Sequence, residues 1–210
     1  MTSIFEPSLI TTGIGSVPLA DPDAGATFVL DADVSIPFWP QLPKRGFREQ
    51  IIPQYAHAMP CVTIDDNEEL VTLDIADKQN QLQAFYEAYL SEELEPFALS
   101  PESAAGFDAM VSQSAGRTWP IVKGHTVGPI SFTVGIHNTD KQPLYSDPEL
   151  RDAAVKMLTR NAQWQIRELS HLATDRVLMF LDEPAMAAYG SSTYLFISEQ
   201  DVRDMLGEVF

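Results

Sequence analysis

Hydrophobic and polar positions follow a helical period in the second half of the chain and then change to a strand-like run. Apolar residues recur at helical spacing at Val155, Leu158, Ala162, Ile166, Leu169 and Ala173. Ser146-Asp147-Pro148-Glu149 precedes this stripe and has the form of a capping box with proline at the first helical position. The apolar run over residues 176–182 ends in acids and predicts a buried strand. We expect the long helix to pack on the sheet that contains this strand.

Shorter segments continue the alternation between strands and helices. Strand-like runs cover residues 9–16, 33–38 and 119–127. Helices are predicted over residues 24–30, after Asp77, from Ser100-Pro101 onward and after Ser198. Two further β-rich runs, at residues 61–65 and 70–74, flank a polar turn and predict an inserted β-hairpin near residues 60–74.

This order of elements is typical of a parallel α/β protein. The pattern supplies about four parallel strands, whereas a closed (β/α)8 TIM barrel needs eight. We therefore predict one domain over residues 1–210, an α/β fold of the TIM-barrel type in which only about the first half of the barrel is present. An open half-barrel leaves a strand edge with unpaired backbone groups. Such an edge indicates either a piece of a longer chain or a homo-oligomer that pairs through it.

Composition and charge narrow the classes of function. The net charge of −17, with only 13 Lys and Arg, argues against nucleic acid and against an anionic membrane surface as partners. Cys61 is the single cysteine, which excludes an intrachain disulfide and a cysteine-rich metal site. The chain has neither a transmembrane-length apolar run nor the basic and apolar regions of a signal peptide. A cytoplasmic protein is the expectation.

Candidate chemistry lies at the predicted carboxyl ends of strands, where barrel enzymes place their active sites. Asp182 ends the buried strand, and Gly15 and Ser16 end the first one. A helix cap is an equally good interpretation of Asp182, and a plain turn is the better one for Gly15-Ser16. For His125, a structural role is favoured over a catalytic one. Metal binding by His57 and Cys61 is disfavoured, because Pro60 interrupts a helix between them.

Three segments together resemble the catalytic barrel of the cobalamin-independent methionine synthase family. Residues 11–18 (TTGIGSVP) are similar to its Ile-Gly-Ser segment, which is followed by an aromatic residue and proline. Residues 123–131 (KGHTVGPIS) are similar to its Lys-Gly-x-x-x-Gly-Pro-Val-Thr segment. Residues 181–185 (LDEPA) match its Asp-Glu-Pro-Ala at a strand end. The resemblance extends from Thr11 to Ala185 in a consistent order.

The resemblance implies a methyltransferase that transfers a methyl group to a thiol amino acid such as homocysteine. It implies that Ile14, Gly15 and Ser16 contact the substrate and that Asp182 pairs with its ammonium group. Zinc is expected in the complete family enzyme, where it lowers the pKa of the thiol. The family's His-x-Cys zinc pair lies beyond Phe210, so no metal ligand and no catalytic residue is assigned here, and the chain alone is expected to be inactive.

Other features of the family have no counterpart in the sequence. The second acid that grips homocysteine, in a His-Gly-Glu setting, is missing, and so is the large N-terminal domain that helps to bind folate. The implied methyl donor is therefore either a corrinoid protein or folate. Two alternatives remain open. One is a barrel enzyme like uroporphyrinogen decarboxylase, and the other is a non-catalytic acidic subunit that pairs through its open sheet edge.

Overall fold

Helices and strands alternate along the computed structural model of the chain, which describes residues 10–194 and 196–209. The α-helices of this part are α1 (Pro22–Asp31), α2 (Lys78–Leu90), α3 (Ala105–Gln113), α4 (Pro129–Gly135), α5 (Pro148–Leu169) and α6 (Glu199–Val209). Its strands are β1 (Val62–Asp65), β2 (Leu70–Leu73), β3 (Trp119–Val127) and β4 (Ala173–Asp182). The α/β class is confirmed. The described residues form two small sheets and no closed barrel.

Strands β3 and β4 pair in parallel, and α5 makes the connection between them. Their register places Lys123 beside Leu178, His125 beside Phe180 and Val127 beside Asp182. Because side chains alternate across a strand, these residues share one face of the sheet. The prediction of a strand that ends at Asp182 is confirmed, but its predicted burial is wrong, because every residue of β4 is half-buried or exposed.

The two earlier strand-like runs make only isolated parallel bridges, so the strands predicted over residues 9–16 and 33–38 are wrong as regular elements. Ser16 bridges to Gln41, and Phe38 bridges to Lys123. Pro37 and Pro40 lack the amide hydrogen that a continuous ladder requires. The Phe38 bridge nevertheless brings residues 33–38 alongside β3, and the Ser16 bridge ties the first segment to Gln41, just beyond them. Leu9 lies outside the described residues.

The predicted hairpin is confirmed. Strands β1 and β2 pair antiparallel, with Val62 opposite Leu73 and Asp65 opposite Leu70. The carboxylate of Asp65 accepts hydrogen bonds from the backbone N–H groups of Asn67 and Glu68, which closes the turn.

Helix α5 begins one residue later than the capping-box pattern predicts. Asp147, and not Ser146, is the N-cap, and its carboxylate accepts hydrogen bonds from the N–H groups of Glu149 and Leu150. The predicted stripe is wrong at two positions, since Ile166 is 41% exposed and Ala173 lies beyond the end of α5, as the first residue of β4. Gln165 is buried instead of Ile166, because its side-chain amide accepts a hydrogen bond from the Trp39 indole and donates one to the His125 carbonyl inside the core.

Helix α3 begins later than the sequence predicts, whereas α6 begins as predicted. Helix α3 begins at Ala105, because the Ser100 carbonyl accepts bonds from Ser103 and Ala104 and forms a turn there. Ser198 caps α6 as predicted, since its hydroxyl oxygen accepts the N–H of Asp201. None of the helices in the described part combines the length and apolarity that a membrane crossing requires.

Candidate functional site

A cavity of about 440 Å³ opens where β4 ends and the two bridged segments turn away from the sheet. Its lining consists of Ile14, Ser16, Gln41, Pro43, Gln50, Ile51, Asp182, Glu183 and Pro184. Three of the four residues predicted to bind substrate therefore meet at one cavity, although they come from opposite ends of the chain. The fourth, Gly15, is not among the lining residues and lies against His125 instead.

The segment that carries Ile14 and Ser16 is fixed at both of its ends by backbone hydrogen bonds. Near its start, the N–H of Ile36 donates to the Thr11 carbonyl at 3.0 Å. Near its end, Gln41 donates to the Gly15 carbonyl and accepts from Val17, each at 3.0 Å. These bonds account for the placement of the segment beside β3, even though it forms no regular strand.

Gly13 and Gly15 each lie so close to another side chain that a larger residue would not fit. A Cβ atom on Gly13 would lie 2.3 Å from Cζ of Phe38. A Cβ atom on Gly15 would lie 2.8 Å from Cε1 of His125, and the φ of Gly15 is 140°, which L side chains rarely adopt. The structure thus gives a physical reason for the Gly-Ile-Gly sequence at the cavity, beyond the plain turn considered above.

Ser16 belongs to a chain of side-chain hydrogen bonds that leads into the core. Its hydroxyl donates to Oε1 of Gln41 at 2.7 Å, and Nε2 of Gln41 donates to Gln54 at 2.8 Å. Gln54 in turn donates to the Ser103 carbonyl at 2.6 Å. Because the Ser16 proton is already committed to Gln41, the oxygen of Ser16 can only accept a hydrogen bond from a ligand.

The two acids at the end of β4 have different surroundings. Glu183 caps α4, since its carboxylate accepts the N–H groups of Ile130 at 2.9 Å and Ser131 at 2.7 Å. No described residue donates a hydrogen bond to the carboxylate of Asp182, which is half-buried at the cavity wall. The helix-cap interpretation of Asp182 therefore applies to its neighbour. Burial raises the pKa of Asp182, and the positive charge of Lys123 opposes this rise.

Lys123 and His125 lie behind the cavity on the same face of β3, and neither was assigned to the site from sequence. Lys123 is fully buried, and its Nζ donates to the carbonyls of Gly13 and Ile14 at 3.0 and 2.6 Å. A lysine inside an otherwise apolar strand was the available signal. His125 stacks on Trp39 with ring centroids 3.9 Å apart, and neither of its nitrogens has a partner among the described residues. Burial, aided by the charge of Lys123, holds the pKa of His125 well below its ordinary value.

The residues weighed as metal ligands do not come together. Among residues 10–194 and 196–209, no group of three or more His, Cys, Asp or Glu side chains could hold a metal ion. His57 lies in a short 3-10 helix (Pro53–Ala58), whereas Cys61 is buried beyond its end. The described part of the chain therefore provides no set of ligands for the zinc ion that the resemblance implies for the complete enzyme.

A second, larger cavity of about 540 Å³ lies between the hairpin and the start of α5. Lys78 crosses it to pair with Asp147 and Glu149, at 2.5 and 2.7 Å. None of the predicted site residues lines it, and its charged side chains already pair with each other. The cavity at Asp182 is thus the better candidate for a ligand site.

Comparison of the chain with protein-family models, with curated proteins and with solved structures finds no match. The candidate site consequently depends on the geometry of its lining residues.

Proposed function

We propose that this chain is part of a (β/α)-barrel methyltransferase of the methionine-synthase type. In this proposal the cavity at Asp182 binds the amino-acid portion of a thiol acceptor such as homocysteine. The methyl donor would be a corrinoid protein or folate.

The observation that carries the proposal is the carboxylate of Asp182, which faces the cavity and has no hydrogen-bond donor among the described residues. A half-buried carboxylate is only partly solvated, and the ammonium group of a ligand would add to the opposite charge of Lys123 and supply hydrogen-bond donors. Ile14 offers apolar surface and Ser16 an acceptor oxygen at the same cavity. An amino-acid ligand matches all three features.

The contribution of the described residues is to bind and orient the acceptor. Zinc, when bound in such an enzyme, would supply thiol activation. Because the donor set here does not fit a metal ion, we derive no step through it. Asp182 would set the position of the ammonium group, and the Ile14–Ser16 wall would limit where the side chain of the ligand can lie.

The proposal is tested by titrating L-homocysteine, kept reduced, into the purified chain in a calorimeter. Asp182→Asn should weaken binding roughly tenfold or more, because it removes the charge from one charge-assisted contact. Asp175→Asn is the matched control, since Asp175 is exposed on the same strand and pairs with Arg176 at 3.0 Å. Equal affinities for Asp182→Asn and the unmodified chain would refute the assigned role.

A second candidate is a binding subunit that pairs the edge of β4 with another copy of the chain. Its supporting observation is that β4 pairs with β3 alone among the described strands and leaves Phe180 37% exposed. Light scattering on the purified chain tests it. A dimeric molar mass would support this candidate, and a monomer at high concentration would contradict it.

A further inference from the structure

Lys123 is unusual among the charged residues of this chain because its side chain is fully buried in the middle of β3. It makes no ion pair at salt-bridge distance with any described residue. Burying an ammonium group without a counter-ion is unfavourable unless other groups stabilise it. Such a group is retained in place of an apolar side chain only if its contacts matter.

The Lys123 ammonium group contacts the segment that carries Ile14 and two aromatic rings. It donates to the carbonyl oxygens of Gly13 and Ile14, at 3.0 and 2.6 Å. Its Nζ also lies 4.4 Å from the ring centroid of Phe180 and 5.6 Å from that of Phe38. Two carbonyl dipoles and two aromatic faces thus stabilise the positive charge.

We propose that Lys123 is a positioning residue for the ligand cavity, which it serves by fixing the Gly13 and Ile14 carbonyls and so holding the Ile14 wall in place. The inference rests on the proposed function, since it concerns the same cavity. It adds a residue that touches no ligand and acts only through the segment it holds.

The Lys123 side chain holds the middle of the segment, at Gly13 and Ile14, in place. The backbone bonds described above fix Thr11 and Gly15, on either side of it. In the part of the chain that the structure describes, no group other than Lys123 donates to the carbonyls of Gly13 and Ile14. The Ile14 side chain is 72% exposed, so its own packing contributes little to its position.

The same charge acts on Asp182 through space. Asp182 follows Phe180 by two residues on the same face of β4, and the Lys123 ammonium group lies against the Phe180 ring. The positive charge lowers the pKa of Asp182 against the effect of burial, and so favours the ionised carboxylate. Burial in turn lowers the pKa of Lys123 to about 8. Lys123 therefore supports both the wall and the charge of the cavity.

The first test is Lys123→Met, which keeps an unbranched side chain, one atom shorter, but removes its charge and donors. Hydrogen–deuterium exchange of the peptide over residues 11–17, whose Val17 N–H donates to the Gln41 carbonyl, should become at least about tenfold faster at Val17, while exchange in α5 stays unchanged. In the same variant, carbon-13 NMR titration of the carboxyl carbon should show a higher pKa for Asp182. Unchanged exchange over residues 11–17, or an unchanged pKa of Asp182, would overturn the inference.

A second measurement needs no variant and decides the question if Lys123→Met does not fold. In the unmodified, isotope-labelled chain, a scalar coupling should connect Nζ of Lys123 to the carbonyl carbons of Gly13 and Ile14 across the hydrogen bonds. Its absence would overturn the inference. Neither test uses a ligand, so a chain that fails to bind homocysteine but passes both would contradict the proposed function and leave the positioning role of Lys123 intact.

Discussion

Replacing His125 by phenylalanine should change how the stability of the protein depends on pH. The imidazole ring is fully buried, stacks on Trp39, and has no hydrogen-bond partner for either nitrogen among the described residues. Its burial and the nearby charge of Lys123 hold its pKa well below the ordinary value of 6.5. The folded protein thus keeps His125 neutral under conditions in which the unfolded chain protonates it.

The sign and the size of the effect follow from this difference. A base whose pKa is lowered on folding contributes stability above its unfolded pKa, and that stability is lost as the pH falls below it. For His125 the loss begins near pH 6.5 and continues toward the lower pKa of the folded state. At pH 4.5, two units below the unfolded value, the loss is at most about 2.7 kcal/mol.

The assay is urea unfolding of the unmodified chain and of His125→Phe at pH 7.5 and pH 4.5. On acidification, the unmodified chain should lose more of its free energy of unfolding than the variant does, by up to about 2.7 kcal/mol. Burial also lowers the pKa of His57, but both proteins contain His57 and its contribution cancels in the comparison. His171→Gln, at an exposed position, is the matched control for the loss of an imidazole. Equal losses for the variant and the unmodified chain would refute the reasoning.

Four further substitutions test local geometry by thermal or urea unfolding. Gly15→Ala should destabilise the fold by about 1–3 kcal/mol, because its Cβ atom would lie 2.8 Å from His125 at a φ of 140°; a neutral effect would contradict the close approach. Gly128→Ala should also destabilise the fold by about 1–3 kcal/mol, because its Cβ atom would lie 2.2 Å from the carboxyl group of Glu183 and would displace this group from its position as the cap of α4. Asp147→Ala should remove about 1 kcal/mol of stability through loss of the α5 cap, whereas Ser146→Ala should have little effect. A larger loss of stability for Ser146→Ala than for Asp147→Ala would instead identify Ser146 as the cap, as the sequence predicts.

Helices α1, α2, α5 and α6 and the hairpin could be predicted because their signals are local, whereas α3 begins at Ala105 and not at Ser100. Proline at the first position of α5 and the apolar stripe behind it lie within one stretch of sequence. The burial of Gln165 in place of Ile166 could not be predicted in this way. It depends on Trp39 and on the carbonyl of His125, which are distant in sequence and come close only in the fold.

The same distinction holds for the site. Parallel strands carry functional groups at their carboxyl ends, and this rule drew attention to Ser16 and Asp182, but the selection of Ile14, Ser16 and Asp182 as ligand contacts came from the family resemblance; these three residues line one cavity. The contacts of Lys123 were not predictable, because its acceptors are backbone carbonyls, and these leave no trace in the identity of the residues. The assignment of Asp182 to a ligand, and the choice between a methyltransferase and a barrel like uroporphyrinogen decarboxylase, stay predictions.

The central claim is that Asp182 recognises the ammonium group of an amino-acid thiol, and a two-by-two calorimetric comparison tests it most directly. L-homocysteine and 4-sulfanylbutanoate, which lacks only the amino group, are titrated into the unmodified chain and into Asp182→Asn. We predict that the unmodified chain prefers homocysteine roughly tenfold or more, and that the substitution abolishes this preference. A preference that survives in Asp182→Asn, or no preference in the unmodified chain, would contradict the account.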